Sequence, residues 1–123
     1  MSRVRGKNTS PERKVFRFLR ARKIYFRQHY NHTFGTPDIV LTDKKRAIFI
    51  NGDFWHGRYY EKTKHKLTPF WREKIATNMA RDKRNCSKLR REGWRVMNIW
   101  VGDLKKNEEK ILNRIGDFLR LKH

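Results

Sequence analysis

The sequence predicts an α/β fold, a single mixed β-sheet flanked by helices. Three observations predict it. Thr9-Ser10-Pro11-Glu12 and Thr68-Pro69 are cap-plus-proline signals that open stretches of helical periodicity. Short alternating or continuous apolar runs lie between and beyond those stretches, as strands require. The 123 residues, 37% hydrophobic and 13% aromatic, supply one core and not two, so helices and strands must share it.

Residues 1–8 (MSRVRGKN) form a basic arm without periodicity. A helix follows to about Lys23, with Val15, Phe18 and Leu19 on one face. Ile24 to His29 alternates and predicts a strand, and Asn31 to Pro37 a loop. Asp38–Leu41 and Arg46–Ile50 predict two strands joined by the turn residues Thr42-Asp43-Lys44-Lys45. Residues 51–68 show neither period and carry two glycines, two histidines and four aromatics, which predicts a long functional loop. The next helix runs from Pro69 to about Arg91, where Gly93 ends it. Trp94–Trp100 is an apolar strand. After a polar loop, Glu108–Leu121 forms a last helix with Ile111, Ile115 and Phe118 at helical spacing. The order α-β-β-β-α-β-α, with no repeat and no linker, makes residues 1–123 one domain.

Basic residues outnumber acidic ones 32 to 12, a net charge of +20. A surplus that large repels itself and calls for a polyanion, most often nucleic acid. On composition alone an RNA-binding module of ribosomal type is as good a reading as a DNA-acting protein. Cys86 is the one cysteine, so no intramolecular disulfide can form. Met1 leads into Ser2, Arg3 and Arg5 without a signal-peptide core, and no run approaches the ~20 apolar residues of a membrane span. The expectation is a soluble, cytoplasmic, nucleoid-associated monomer.

Four side chains carry candidate chemistry, each beside an ordinary alternative. Ile75, Met79, Asp82, Cys86 and Leu89 recur at spacings of 4, 3, 4 and 3, on one inward face of the long helix. A carboxylate within that stripe is costly to bury alone, so Asp82 is either salt-bridged to an arginine or part of a site. Asp38 begins a strand directly after Pro37, where an acid either caps a turn or holds a hard cation. His56 lies in Phe54-Trp55-His56-Gly57, a setting that suits packing as well as proton transfer. Glu12, in a first helical turn, is explained by the helix dipole alone. Taken together they are carboxylates and a histidine in a chain whose charge demands a phosphate-rich partner. Carboxylates bind Mg²⁺, Mg²⁺ polarises phosphoryl oxygen and activates water, and histidine exchanges protons near neutral pH. That is the minimal equipment for phosphodiester hydrolysis.

At these residues the sequence resembles the very-short-patch repair (Vsr) family of DNA mismatch endonucleases. The matching segments are MSRVRGKNTSPE, GTPDIVL, AIFINGDFWHG, FWREKIATNMARDKRN and LRREGWRVMNIW, in order, over residues 1 to about 104. The resemblance implies a PD-(D/E)xK restriction-endonuclease-like fold with an altered active site. It implies a Mg²⁺-dependent enzyme that nicks double-stranded DNA next to a T:G mismatch, with a MutL-type repair protein as partner. Under it Asp38 is the direct Mg²⁺ ligand, helped by the backbone carbonyl of Ile50, and Glu12 reaches the ion through water. His56 is the general base and Asp82 orients it. Phe54 and Trp55 wedge into the duplex, while Met1, Arg3, Val4 and Arg5 embrace the other groove. Lys62, Lys64, Lys66 and Arg72 are candidate phosphate contacts by charge and position.

The sequence also departs from that family. Strand Arg46–Ile50 holds no acid and no lysine, as the family's histidine variant requires. Repair-type members carry a structural zinc held by cysteines and a histidine around the FWHG loop and after the last strand. Here Asp53 stands where the first cysteine is expected, Arg58-Tyr59-Tyr60 follow the loop motif, and Val101-Gly102-Asp103 follow Trp100. No structural zinc is therefore expected, and packing by Tyr59 and Tyr60 is expected to hold the loop. Asn51 stands where the repair enzymes have a second histidine near the scissile phosphate; it can donate a hydrogen bond but carries no proton. Related homing endonucleases share the Glu–Asp–His–Asp constellation and cut matched sites, with an added DNA-binding domain for which this chain has no room. Three functions follow: a mismatch nickase, a homing or restriction-type nuclease on matched DNA, and a non-catalytic basic module. The first two require Asp38, His56 and Asp82 to converge; the third expects them scattered.

Overall fold

The computed structural model describes residues 10–120. Helix α1 (Ser10–Ala21) leads to strands β1 (Arg27–Gln28), β2 (Ile39–Leu41) and β3 (Arg46–Asn51). A short helix α2 (Tyr60–Thr63) and a 3₁₀ turn (Lys64–Lys66) precede the long helix α3 (Pro69–Arg91). Strand β4 (Arg95–Trp100), α4 (Val101–Lys106) and α5 (Glu108–Arg120) complete the order. The arm residues Met1, Arg3, Val4 and Arg5, and the predicted cap Thr9, lie outside the described residues.

The strands form one mixed sheet in the order β1-β2-β3-β4, antiparallel except for the parallel β3–β4 pair. Helix α3 is the crossover that a parallel pair requires. Alternation along the strands sends successive side chains to opposite faces. Ile39, Leu41, Ile48 and Ile99 pack with Val15, Leu19, Ile111 and Ile115, which puts α1, α4 and α5 on one face. Val40 and Ala47 pack with Leu89 and Trp94, which puts α3 on the other. The α/β arrangement read from the sequence is the one observed. No helix among the described residues is long and apolar enough to cross a membrane.

The signals that bound the long helix act as read. Thr68 Oγ1 accepts from the Trp71 N–H at 3.4 Å, and the long helix ends before Gly93, whose φ is +91°. Three local expectations are corrected. Only Arg27–Gln28 of the predicted strand Ile24–His29 joins the sheet, because β2 offers three residues and the chain turns left-handed at Lys23 (φ 58°) and His29 (φ 47°). Residues 51–68, read as loop, contain α2 and the 3₁₀ turn. The polar segment after Trp100 is helix α4, seated by one buried side chain, Leu104.

Candidate active site

Strand β3 and helix α3 build the site between them, and the loop joining them is fastened to the helix face. Gly57 turns with φ +73°, and an added Cβ there would fall on Met79 (Sδ, and Cγ at 2.6 Å) and 3.2 Å from Ile75 Cγ2. One turn along, the Asn78 amide donates to the Trp55 carbonyl at 3.0 Å. On the same face, Asp82 Oδ2 lies 2.6 Å from His56 Nδ1. Helical spacing therefore explains why Ile75, Asn78, Met79 and Asp82 occur together: each receives one part of the Phe54–Gly57 turn. The partner of Asp82 is His56 and not an arginine. A carboxylate accepts only, so Nδ1 carries the hydrogen of that bond, and in the neutral ring Nε2 is the acceptor.

The carboxylates of Glu12 and Asp38 meet on the other side of the same cleft. Glu12 is 4% exposed, so its place in α1 is more than a dipole contact. The Ile50 N–H donates to Asp38 Oδ2 at 2.7 Å, anchoring that acid to β3. His29 completes the group, with Nε2 3.9 Å from Glu12 Oε1 and Nδ1 3.9 Å from Asp38 Oδ1. One ligand atom from each of Glu12, His29 and Asp38 can be chosen so that all lie within 4.8 Å of one another. His29 is absent from the residues the sequence nominates.

Burial, then a hydrogen bond and repulsion from Glu12, push the Asp38 carboxyl up to about 8. A cation bound between the two carboxylates would relieve that repulsion and take the place of the Asp38 proton. The donors, two carboxylates and a buried imidazole nitrogen, suit a divalent ion. A stability consequence follows for the metal-free protein. A carboxyl raised in the folded state favours folding fully below its unfolded value near 3.8 and loses that contribution as pH rises to about 8. In EDTA, the wild type is expected to lose stability relative to Asp38→Asn between pH 4 and 8, with no further relative loss above. Urea midpoints across that range check it; a constant difference would refute the raised acid.

The cleft, about 750 Å³, is lined by Glu12, Asp38, Asn51, Trp55, His56 and Asp82. The structure thus brings Asp38, His56, Asp82 and Glu12 to one opening. Asn51, at the end of β3, is buried and donates to Asn98 Oδ1 at 3.2 Å, and the Asn98 amide faces Cys86 Sγ at 3.7 Å.

At the mouth, Phe54 and Trp55 are 49% and 48% exposed, so they are not core residues at a strand end. They interlock with Trp71 from the first turn of α3, and Phe70 packs on Trp71, with ring centroids 5.2–5.7 Å apart. Phe70 and Trp71 were missed because a helix-start aromatic pair looks like ordinary packing. Lys62, Lys64 and Lys66 are exposed, and Lys64 Nζ pairs with Glu61 Oε1 at 2.9 Å. Arg72 instead spends Nε and Nη2 on the carbonyls of Lys64 and Leu67, so it pins the turn before α3.

The segments where the resemblance placed zinc ligands come together around a guanidinium. Arg58 Nη1 lies 3.3 Å from Asp53 Oδ2 and Nη2 2.7 Å from Asp103 Oδ1. The Gly102 N–H donates to Asp53 Oδ1 at 2.9 Å, and a Cβ on Gly102 would run into that carboxylate. This clasp, with Arg58 lying over the Tyr59 and Trp100 rings, ties the loop to the start of α4. Tyr59 and Tyr60 add to the clasp: Tyr59, half exposed, lies under Arg58, and the Tyr60 hydroxyl donates to the Arg72 carbonyl at 3.3 Å.

The chain is similar to known DNA endonucleases along most of its length. Residues 1–62 match the family model described as DNA mismatch endonuclease Vsr. The chain is 40% identical over 119 residues to the type II nicking enzyme V.XorIIP of Xanthomonas oryzae pv. oryzae, covering 92% of this chain and 87% of that protein. It is 31% identical to the DNA mismatch endonuclease Vsr of Escherichia coli K12, covering 97% and 80%. Among solved structures, the catalytic domain of the homing endonuclease I-Bth0305I superposes with a TM-score of 0.64 at 28% identity, covering 90% and 94%. The sheet and its flanking helices are those of a restriction-endonuclease-like fold, and the chain belongs to the Vsr family of DNA endonucleases.

Proposed function

We propose that this endonuclease nicks one strand of double-stranded DNA beside a T:G mismatch, with a divalent cation such as Mg²⁺ as cofactor. Asp38, with Glu12 and the Ile50 carbonyl, would hold the ion, and the ion when bound polarises a phosphoryl oxygen. The protein's own groups do the rest. Asp82 fixes the tautomer and direction of His56, so that Nε2 can take the proton from an attacking water. Asn51, already oriented by Asn98, has an amide hydrogen left for a phosphate oxygen. Phe54 and Trp55, backed by Trp71, form a wedge; unstacking costs a few kcal/mol per step and least at a mismatch. Residues 1–123 would act as one domain and a monomer, with residues 1–8 as a clamp and a MutL-type protein recruited afterwards. The observation that carries the reading is the 2.6 Å His56–Asp82 pair opening on the cleft that also holds Glu12 and Asp38.

A second reading keeps the chemistry and changes the substrate: cutting of matched DNA, as a homing or restriction-type nuclease. It is favoured by Asn51 in place of a second histidine and by the likeness to the homing endonuclease domain. Strand-labelled duplexes with a T:G mismatch or the matched pair separate the two, each with Mg²⁺ or EDTA. Nicking confined to the T-bearing strand of the mismatch, abolished by EDTA, is expected. Equal cutting of matched duplex would move the protein to the second reading, and no cation-dependent cutting of either would sink both.

A further inference from the structure

We propose that His29 is a direct nitrogen ligand of the cation held by Asp38 and Glu12, and that it shifts this site's preference from Mg²⁺ toward first-row transition ions. The inference rests on the reading of the cleft as a cation site. Register is its first support. The β1–β2 ladder pairs Gln28 with Ile39, and the His29 N–H donates to the Asp38 carbonyl at 3.0 Å, so the imidazole leaves the backbone directly beside Asp38. At that point the chain adopts φ 47°, a costly conformation for a residue with a Cβ.

The ring's surroundings are the second support. Phe16 closes one side of it edge-on, with centroids 6.1 Å apart. Nε2 is buried and, among the described residues, has no hydrogen-bond partner. A buried polar nitrogen without a partner is expensive, and histidines in folded proteins ordinarily avoid it. Both ring nitrogens stand 3.9 Å from a carboxylate oxygen, too far for a hydrogen bond. One ring gives one nitrogen to one ion, and ligand atoms about 2.0–2.1 Å from an ion lie up to about 4.2 Å apart across it. The unpartnered Nε2, 3.9 Å from Glu12 Oε1, is therefore within reach of a shared ion. The donor set becomes two carboxylates and one imidazole. Mg²⁺ takes oxygen and water, whereas imidazole suits transition ions, whose affinity rises from Mn²⁺ through Fe²⁺ to Co²⁺.

Mn²⁺ bound to the full chain, read by pulsed electron paramagnetic resonance, tests the proposal without relying on cleavage. Directly coordinated imidazole gives nitrogen hyperfine modulation. It is expected in the wild type and in His56→Gln, and lost in His29→Gln. The ratio of Co²⁺ to Mg²⁺ affinity, by calorimetry, should fall at least ~10-fold in His29→Gln, since even a partner behind a ligand is worth about 10–100-fold. Bound Mn²⁺ without nitrogen coupling, or with coupling that survives His29→Gln, would remove His29 from the ion and leave the cation site standing. Absence of any Mn²⁺ binding that Asp38→Asn abolishes would overturn both. Should His29→Gln fail to fold, the His56→Gln spectrum decides: no nitrogen coupling in it defeats the proposal.

Discussion

Cleavage by the His56→Ala protein is expected to be about 10²–10⁴-fold slower than wild type, the usual worth of a positioned general base. Duplex affinity should change little, because the aromatic platform and the exposed lysines are untouched. The companion substitution is Asp82→Asn. An asparagine can present its N–H₂ to His56 Nδ1, which would then become an acceptor and move the hydrogen to Nε2. That tautomer cannot take a proton, so the rate should fall although the side chain keeps its shape. The two residues act as a unit, so the double variant should be hardly slower than the worse single variant. Single-turnover rates at saturating cation, on the substrate that the wild type cuts best, check all three. A His56→Ala protein within tenfold of wild type would remove His56 as base, whatever becomes of the cation.

The unit was half visible before the structure. The 4-3-4-3 stripe placed Asp82 on the inward face of α3, because helical periodicity is a local property. That its partner is His56 depends on a loop folding back across 26 residues, and only the FWHG resemblance pointed there. His29 was illegible for a similar reason. Alternation marked it as the last residue of a strand, while its neighbours Glu12 and Asp38 reach it through the packing of α1 and the β1–β2 register. Arg58 shows the limit more sharply. With 32 basic residues in the chain, nothing local says which one meets Asp53 and Asp103, the latter 45 positions away. Helix α4 escaped because six residues with one core side chain carry no measurable period. The layers themselves were legible, since cap signals and strand alternation are written in contiguous residues.

The second large effect is expected at a residue with no side chain. Gly57→Ala should lower stability by about 2–5 kcal/mol, summing about 1–2 for a left-handed alanine and about 1–3 for overpacking. In a domain of this size that is a fall in melting temperature on the order of 10 °C. Both terms arise at one residue. Gly57 holds φ +73° and leaves no space between the loop and Met79 or Ile75, of which Ile75 is fully buried. Met79 can yield, so the Gly57→Ala/Met79→Ala pair should recover the packing term and leave the backbone term, a non-additivity that a thermal cycle measures. The catalytic consequence is separable. Met79 and Asp82 lie one turn apart on α3, and Gly57 follows His56, so lifting Gly57 off the helix draws His56 Nδ1 away from the carboxylate 2.6 Å from it. Turnover at a temperature where the variant remains folded should therefore drop, while the Arg58 clasp still holds the far end of the loop. A Gly57→Ala protein as stable and as active as wild type would show that the loop does not need this contact to deliver His56.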